Sequence, residues 1–130
     1  MNLKEQLLKD KPKIPANDTS EELEESGSEF WGIERVASRR AIMLDVRLKG
    51  GKFYALPYSY MTKVKFDPSE GLEIYISGNY VKITGRNLHE IYIQLLRHRV
   101  NFIQANISDM DITDENKTYI KDIEVTDDAP

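Results

Sequence analysis

The two histidines are the side chains best suited to metal or acid–base chemistry, and their spacing argues against both roles. His89 and His98 are nine residues apart in a segment whose apolar spacing predicts one helix. Nine residues span about two and a half helical turns, so the two rings would point to different sides and cannot share a metal ion. The sequence also contains no cysteine and no Gly-x-Ser-x-Gly motif. We therefore predict exposed helix histidines, no metal site, no cofactor and no enzymatic activity.

Basic and tyrosine side chains are interleaved through the middle of the chain, a combination that could bind single-stranded nucleic acid. Lysine and arginine neutralise phosphates, and aromatic rings stack on unpaired bases. The same residue types are ordinary on the exposed face of a half-buried sheet, and Arg39 and Arg40 could simply be an exposed pair at a strand entry. Both interpretations stay open for the candidate RNA-binding residues, which are Arg39, Arg40, Tyr58, Tyr60, Lys63, Lys65, Lys82 and Arg86.

Arg99 is the one charged side chain that the sequence pattern places where a charge should not be. It falls near the middle of the apolar stripe of the predicted helix. Three explanations are open: the helix ends early, Arg99 pairs with a buried carboxylate such as Asp45, or Arg99 reaches a ligand.

Charge divides the chain into three parts. Residues 1–28 contain four Lys and seven Asp or Glu, a net charge of −3. Residues 29–107 contain twelve Lys or Arg and seven acids, a net charge of +5, and residues 108–130 contain two Lys and eight acids, a net charge of −6. We predict a flexible acidic N-terminal arm (1–28), a single folded domain (29–107) and an acidic C-terminal tail (108–130). Part of the tail could dock as an irregular segment or as an added strand, and residues 127–130 should be frayed.

Alternating apolar residues predict five short strands between residues 41 and 84. In residues 41–48 the inward set is Ile42, Leu44, Val46 and Leu48. Lys49-Gly50-Gly51-Lys52 and Gly78-Asn79 predict tight hairpins, and residues 67–71 predict a turn. Pro57 should end the second strand because it cannot donate to a ladder. The remaining inward residues are Val64, Phe66, Leu72, Ile74, Ile76, Val81 and Ile83.

The hydrophobic period changes to that of a helix after Gly85. Asn87 and Glu90 have the spacing of a capping box, and the apolar positions that follow predict a helix to about Gln104. The predicted fold is therefore mainly β (α+β): a five-stranded bent antiparallel sheet or small barrel with one C-terminal helix packed over it. The predicted core is small for one domain, which would favour oligomerisation.

Two segments resemble the motifs of the Sm family of small β-barrels. The first Sm motif is similar to Val46-Arg47-Leu48-Lys49-Gly50-Gly51-Lys52. The second is similar to Val81-Lys82-Ile83-Thr84-Gly85-Arg86-Asn87-Leu88. The resemblance covers roughly residues 40–88 and implies five strongly bent antiparallel strands, a ring formed by pairing of edge strands between neighbours, and uridine-rich RNA bound around the pore.

The sequence predicts a non-catalytic module that self-associates or binds a protein partner. The alternative is a single-stranded RNA-binding protein that uses the basic, tyrosine-bearing face, with the acidic tails competing for it. The N-terminal residues lack the apolar run of a signal peptide, and no stretch approaches the roughly 18 apolar residues of a membrane span. We therefore expect a cytoplasmic homo-oligomer with no membrane partner.

Overall fold

A computed structural model describes residues 28–127, which form eight β-strands, one α-helix and a short 3-10 turn. The predicted N-terminal arm, apart from Ser28, lies outside the described residues. In chain order the elements are β1 (Trp31–Ile33), β2 (Met43–Arg47), β3 (Phe53–Pro57), the 3-10 turn (Tyr58–Tyr60), β4 (Met61–Asp67), β5 (Gly71–Ile76), β6 (Asn79–Arg86), α1 (His89–Leu96), β7 (Val100–Gln104) and β8 (Tyr119–Thr126).

The strands form two four-stranded sheets rather than one bent sheet or a closed barrel. The strand order is β1-β7-β2-β3 in the first sheet and β4-β5-β6-β8 in the second. All neighbours are antiparallel except β2 and β7, which run parallel. The mainly-β class is therefore confirmed, and the five predicted strands form as β2 to β6. The predicted single five-stranded sheet is wrong, because β1, β7 and β8 bring the count within residues 28–127 to eight.

The β2–β3 hairpin follows the predicted alternation with one exception. Leu44 and Val46 are completely buried, but Ile42 is 80% exposed because β2 begins one residue after it. The turn between the strands forms at the predicted glycines, where Gly51 has a φ of +96° and Leu48 N–H donates to the Lys52 carbonyl at 2.8 Å. Pro57 is the last residue of β3, as predicted.

The second sheet buries the predicted residues of β5 and β6, but the turn between them lies one residue earlier than predicted. The turn residues are Ser77 and Gly78, with φ values of +54° and +79°, because Asn79 already pairs with Ile76 in the ladder. Two successive positive φ values are typical of the tight hairpin turn that matches strand twist. The Asn79 amide donates to the Ser77 carbonyl at 3.1 Å and supports this conformation.

The helix is shorter than predicted and is not C-terminal. It ends at Leu96, and His98 takes a φ of +57°, which breaks the helical path. The residues after it form β7, in which Val100 and Ile103 are completely buried. A run of apolar residues at positions 100–103 fits a helical stripe and a buried strand equally well, and here pairing with β1 and β2 decides between them.

The predicted capping box is also wrong. Leu88 is the N-cap residue and makes no side-chain capping bond. Asn87 has a φ of +57°, and its amide bonds to the segment that precedes β8 instead of the helix.

The acidic C-terminal segment docks as an added strand, which is one of the two predicted outcomes. β8 pairs antiparallel with β6 over its length, and Ile120 and Ile123 are buried. A single cluster of buried residues joins both sheets to α1, whose Ile91 and Leu95 are completely buried. Each such side chain contributes roughly 1.5–3 kcal/mol through burial. The helix contacts β4 and β7 and so bridges the two sheets.

We expect Gly71→Ala to destabilise the protein by at least about 2 kcal/mol, because Gly71 combines positive φ with a close backbone neighbour. Its φ is +112°, and a Cβ there would lie 2.4 Å from the Ile83 carbonyl oxygen. The matched control is Gly50→Ala, where an added Cβ meets nothing within 4 Å. Urea unfolding of both variants measures the difference, and equal midpoints would contradict the constraint.

Candidate functional site

The structure separates the candidate RNA-binding residues into different environments. Arg39 and Arg40 are exposed in the connection between β1 and β2, and Tyr60 is exposed in the 3-10 turn. Three lysines share the outer face of the second sheet: Lys63, Lys65 and Lys82. Tyr58, Arg86 and Arg99 lie elsewhere and are occupied by contacts within the chain.

Acidic residues balance the charge of two of the three lysines on the outer face of the second sheet, Lys65 and Lys82. One row of register partners crosses all four strands with alternating charge, and it consists of Lys65, Glu73, Lys82 and Glu124. Lys82 Nζ lies 3.3 Å from Glu73 Oε2. Glu73 is only 9% exposed; burial alone would raise its pKa, but hydrogen bonds from Lys82 and Tyr80 outweigh burial and lower the pKa. The positive charge of this row is therefore balanced within the sheet.

A second row on the same face is aromatic. Lys63 Nζ lies 5.3 Å from the centre of the Tyr75 ring, and the rings of Tyr75 and Tyr80 are 5.1 Å apart. Both tyrosines are half-buried. A cation over an aromatic ring is partly satisfied by the ring, so Lys63 also has a partner within the face.

Tyr58 is a core residue rather than part of an exposed face. It is 4% exposed, its hydroxyl donates to the Val100 carbonyl at 2.9 Å, and its ring stacks on His98 at 4.8 Å. Burial raises the pKa of the Tyr58 phenol. The ring therefore has no free face for a base, and His98 is not the exposed helix histidine that the sequence predicted, because it lies beyond α1 and is half-buried.

Arg86 holds the segment 106–118 to the end of β6. Its guanidinium forms an ion pair with Asp111, donates to the Thr113 carbonyl at 2.8 Å and lies 4.9 Å from the centre of the Tyr119 ring. The hydrogen bond from Arg86 lowers the pKa of the Asp111 carboxyl. Beside it, the Asn87 amide donates to two more carbonyls of the segment, at 2.8 and 2.9 Å. We call this set of contacts the 86–87 clasp.

Arg99 is buried against β1. It is 6% exposed, and its Nη2 donates to the Glu34 carbonyl. The backbone between the two residues is also bonded, with Glu34 N–H donating to the Arg99 carbonyl at 2.7 Å. The helix thus ends before Arg99, as the first explanation required. Asp45, the carboxylate named as an example in the second explanation, pairs with Arg47 at 2.9 Å.

A groove of about 630 Å³ lies between the residues that precede β1 and the 106–118 segment. Its charged side chains are Glu29, Glu90 and Lys117. The other lining residues are Ser28, Phe30, Trp31, Ile112, Thr113, Asn116 and Thr118. Within residues 28–127 no cluster of three or more His, Asp or Glu side chains could hold a metal ion. The same residues contain no helix that is long and apolar enough to cross a membrane.

The outer face of the first sheet carries an apolar surface that sequence reasoning missed. We define the apolar face as Met43 of β2, Phe53, Ala55 and Pro57 of β3, and Phe102 of β7. Phe53 is 63% exposed and Met43 is 42% exposed. All five residues of β3 are uncharged and mostly apolar, so the strand presents apolar atoms on both sides. This lack of charged residues is the feature of the sequence that indicates an apolar outer face.

Arg47 lies at one end of the apolar face, and its charge is satisfied by Asp45, which lies on the same face between Ala55 and Phe102. Its guanidinium carbon is 4.2 Å from the centre of the Phe102 ring and 5.5 Å from that of Phe53. Its Nε donates to Asp45 at 2.9 Å, and its Nη1 donates to Gln104 at 3.4 Å. These contacts hold the planar guanidinium of Arg47 between two rings. Binding of a partner that covers Arg47 would therefore cost less side-chain entropy.

Comparisons of the chain with protein-family models, with curated proteins and with solved structures found no match.

We expect Tyr58→Phe to destabilise the fold by about 1–3 kcal/mol, because the buried Val100 carbonyl would lose its hydrogen-bond donor. The control is Tyr60→Phe, since Tyr60 is 63% exposed and its substitution should change stability by no more than about 0.5 kcal/mol. Thermal unfolding of both variants tests this, and a neutral Tyr58→Phe would show that the hydroxyl contributes nothing.

We expect Asp111→Asn to speed amide hydrogen exchange in residues 106–118 a few-fold and to leave β5 unchanged. The folded-state pKa of the Asp111 carboxyl is lowered, so its ion pair with Arg86 stabilises the 106–118 segment fully above the ordinary aspartate pKa, about 4. That stabilisation is lost as the pH falls through the lower folded-state pKa. Hydrogen exchange in residues 106–118 of the Asp111→Asn variant should not show this dependence on pH.

Asp109→Asn is the control for this exchange experiment. The Asp109 side chain is 98% exposed and pairs with Lys49 at 3.2 Å. Equal exchange rates in the two variants would contradict a specific role for the clasp.

Proposed function

We propose that this chain is a non-catalytic interaction module that contacts another polypeptide through the apolar face. The observation that supports the proposal most directly is the exposure of Phe53, 63%, on a strand at the edge of its sheet. Complete burial of such a side chain would contribute roughly 1.5–3 kcal/mol. Met43, which is 42% exposed, and the half-buried Phe102 lie on the same face.

The arrangement around Arg47 also favours contact with protein. Arginine and large aromatic residues are common among the side chains that dominate binding energy in protein interfaces. Arg47 is already neutralised by Asp45 and stacked on two rings, so its burial would not leave an unpaired charge. A partner would therefore cover apolar carbon and ring faces at a modest desolvation cost.

A second candidate is the Sm-like alternative, single-stranded RNA bound on the outer face of the second sheet. The supporting contact is Lys63 beside the Tyr75 and Tyr80 rings. The carboxylates of Glu73 and Glu124 on the same face would repel phosphates. We rank this second because the charge of Lys65 and Lys82 is balanced by those carboxylates. A cytoplasmic location and homo-oligomeric assembly stay predictions.

The proposal is tested with a photo-reactive phenylalanine analogue placed at position 53 of the full chain. We expect one dominant crosslinked product whose sequenced peptide identifies a single polypeptide, either a second copy of this chain or another protein. The matched control carries the analogue at position 60, because Tyr60 has the same exposure, 63%, and lies outside the apolar face. Crosslinking from position 60 should be weaker by about tenfold. Equal yields from the two positions, or no product from position 53, would overturn the proposal.

A further inference from the structure

The edge strand β3 lacks the protection that the edge strands of the second sheet carry. The edge strands of the second sheet, β4 and β8, both carry charged side chains, which oppose pairing with another chain. These are Lys63, Lys65 and Asp67 of β4, and Lys121, Asp122 and Glu124 of β8. At the other edge of the first sheet β1 has only three residues. The five residues of β3 carry no charge.

The hydrogen-bonding groups on the open side of β3 follow from its pairing with β2. Leu48 N–H donates to the Lys52 carbonyl at one end of the hairpin. Tyr58 N–H donates to the Ile42 carbonyl at the other end, at 3.0 Å. Bonded and non-bonded pairs alternate along an antiparallel ladder, so the backbone N–H and C=O groups of Tyr54 and Leu56 form hydrogen bonds with β2. The residues whose backbone groups point to the open edge are Phe53, Ala55 and Pro57.

We propose that a second copy of this chain pairs its own β3 antiparallel with this one, about a twofold axis at Ala55. This inference rests on the proposed interaction function and names the partner. Ala55 would exchange two hydrogen bonds with Ala55 of the second copy. Phe53 N–H would donate to the Pro57 carbonyl of the second copy, and the reciprocal bond would follow by symmetry. Pro57 lacks an N–H, so about four bonds form.

The side chains opposed by this register are all uncharged. Phe53 lies opposite Pro57 of the second copy on the outer face, and Tyr54 lies opposite Leu56 of the second copy on the inner face. Aromatic and aliphatic pairs across neighbouring strands are favourable. A register that places Phe53 opposite Ala55 would pair only three residues of β3 with β3 of the second copy, and it would set Leu56 and Pro57 opposite Lys52 and Gly51 of the hairpin turn. The Ala55-centred register is therefore the one that pairs all five residues of β3 with β3 of the second copy.

Two variants that carry opposite charges at position 55 test whether the twofold axis lies there. Ala55 is exposed, but Asp45 of β2 lies opposite it, so urea unfolding of Ala55→Lys and Ala55→Glu is measured first to show that both variants are folded. At a twofold axis each variant faces its own charge, and we expect its self-association to weaken by at least about tenfold relative to the native chain. An equimolar mixture of the two variants should associate as a heterodimer, at least as tightly as the native chain. Sedimentation equilibrium at micromolar concentrations measures all three samples.

The control places the same two charges on an edge strand of the second sheet, as Thr62→Lys and Thr62→Glu, where neither the variants nor their mixture should differ from the native chain. A native chain that sediments as a monomer, or a mixture that associates no better than the single variants, overturns the β3 pairing. Either result leaves the interaction function standing if position 53 still crosslinks to another protein. Equal crosslinking from positions 53 and 60 overturns the interaction function itself.

Discussion

The corner at Tyr58–Tyr60 is the constraint on which both sheets depend. The chain leaves the first sheet at Pro57 and enters the second at Met61, so three residues must redirect the backbone. Tyr58 anchors the corner to the first sheet twice, through its N–H to Ile42 and its hydroxyl to Val100. The Tyr60 carbonyl accepts from Ser77 N–H at 2.8 Å and anchors the corner to the second sheet. The register of each sheet is thereby tied to that of the other.

Contacts within residues 28–127 balance part of the charge asymmetry between the basic middle segment and the acidic segment that follows it. The basic middle segment receives carboxylates from the acidic segment that follows it: Asp109 pairs with Lys49, and Asp111 pairs with Arg86. Glu124 of β8 lies beside Lys82. An alternation of basic and acidic segments can indicate a polyanion partner, but it equally describes two parts of one domain that pair with each other.

Local patterns in the sequence predict what is local in the fold. Between residues 41 and 84 the alternation of apolar side chains and the glycine-rich turns identify the strands, because period and turn chemistry act within a few residues. The length of α1 and the existence of β7 could not be predicted in this way. Residues 100–103 are apolar in a pattern compatible with either structure, and the choice depends on β1 and β2, which lie far away in sequence. The three residues of β1 are too few for a periodic signal.

The same limit applies to the candidate site. The basic side chains of Lys82 and Arg86 are visible in the sequence, but the carboxylates that pair with them come from a neighbouring strand and from the 106–118 segment. Local sequence does not determine which strands and segments become neighbours. The apolar face could not be predicted in full, because the sequence pattern predicts a helix over residues 88–104 and Phe102 lies on a strand.

The parallel contact between β2 and β7 has a consequence for biosynthesis. These strands are adjacent in space but separated by more than fifty residues of chain, roughly half of the described length. A ribosome releases the β2–β3 hairpin well before β7, so the nascent chain carries a hairpin with both edges unpaired until the later strand emerges. Closure of such a distant pair is slow compared with hairpin formation. The interval before β7 arrives is when a growing chain would be most exposed to aggregation or most dependent on a chaperone.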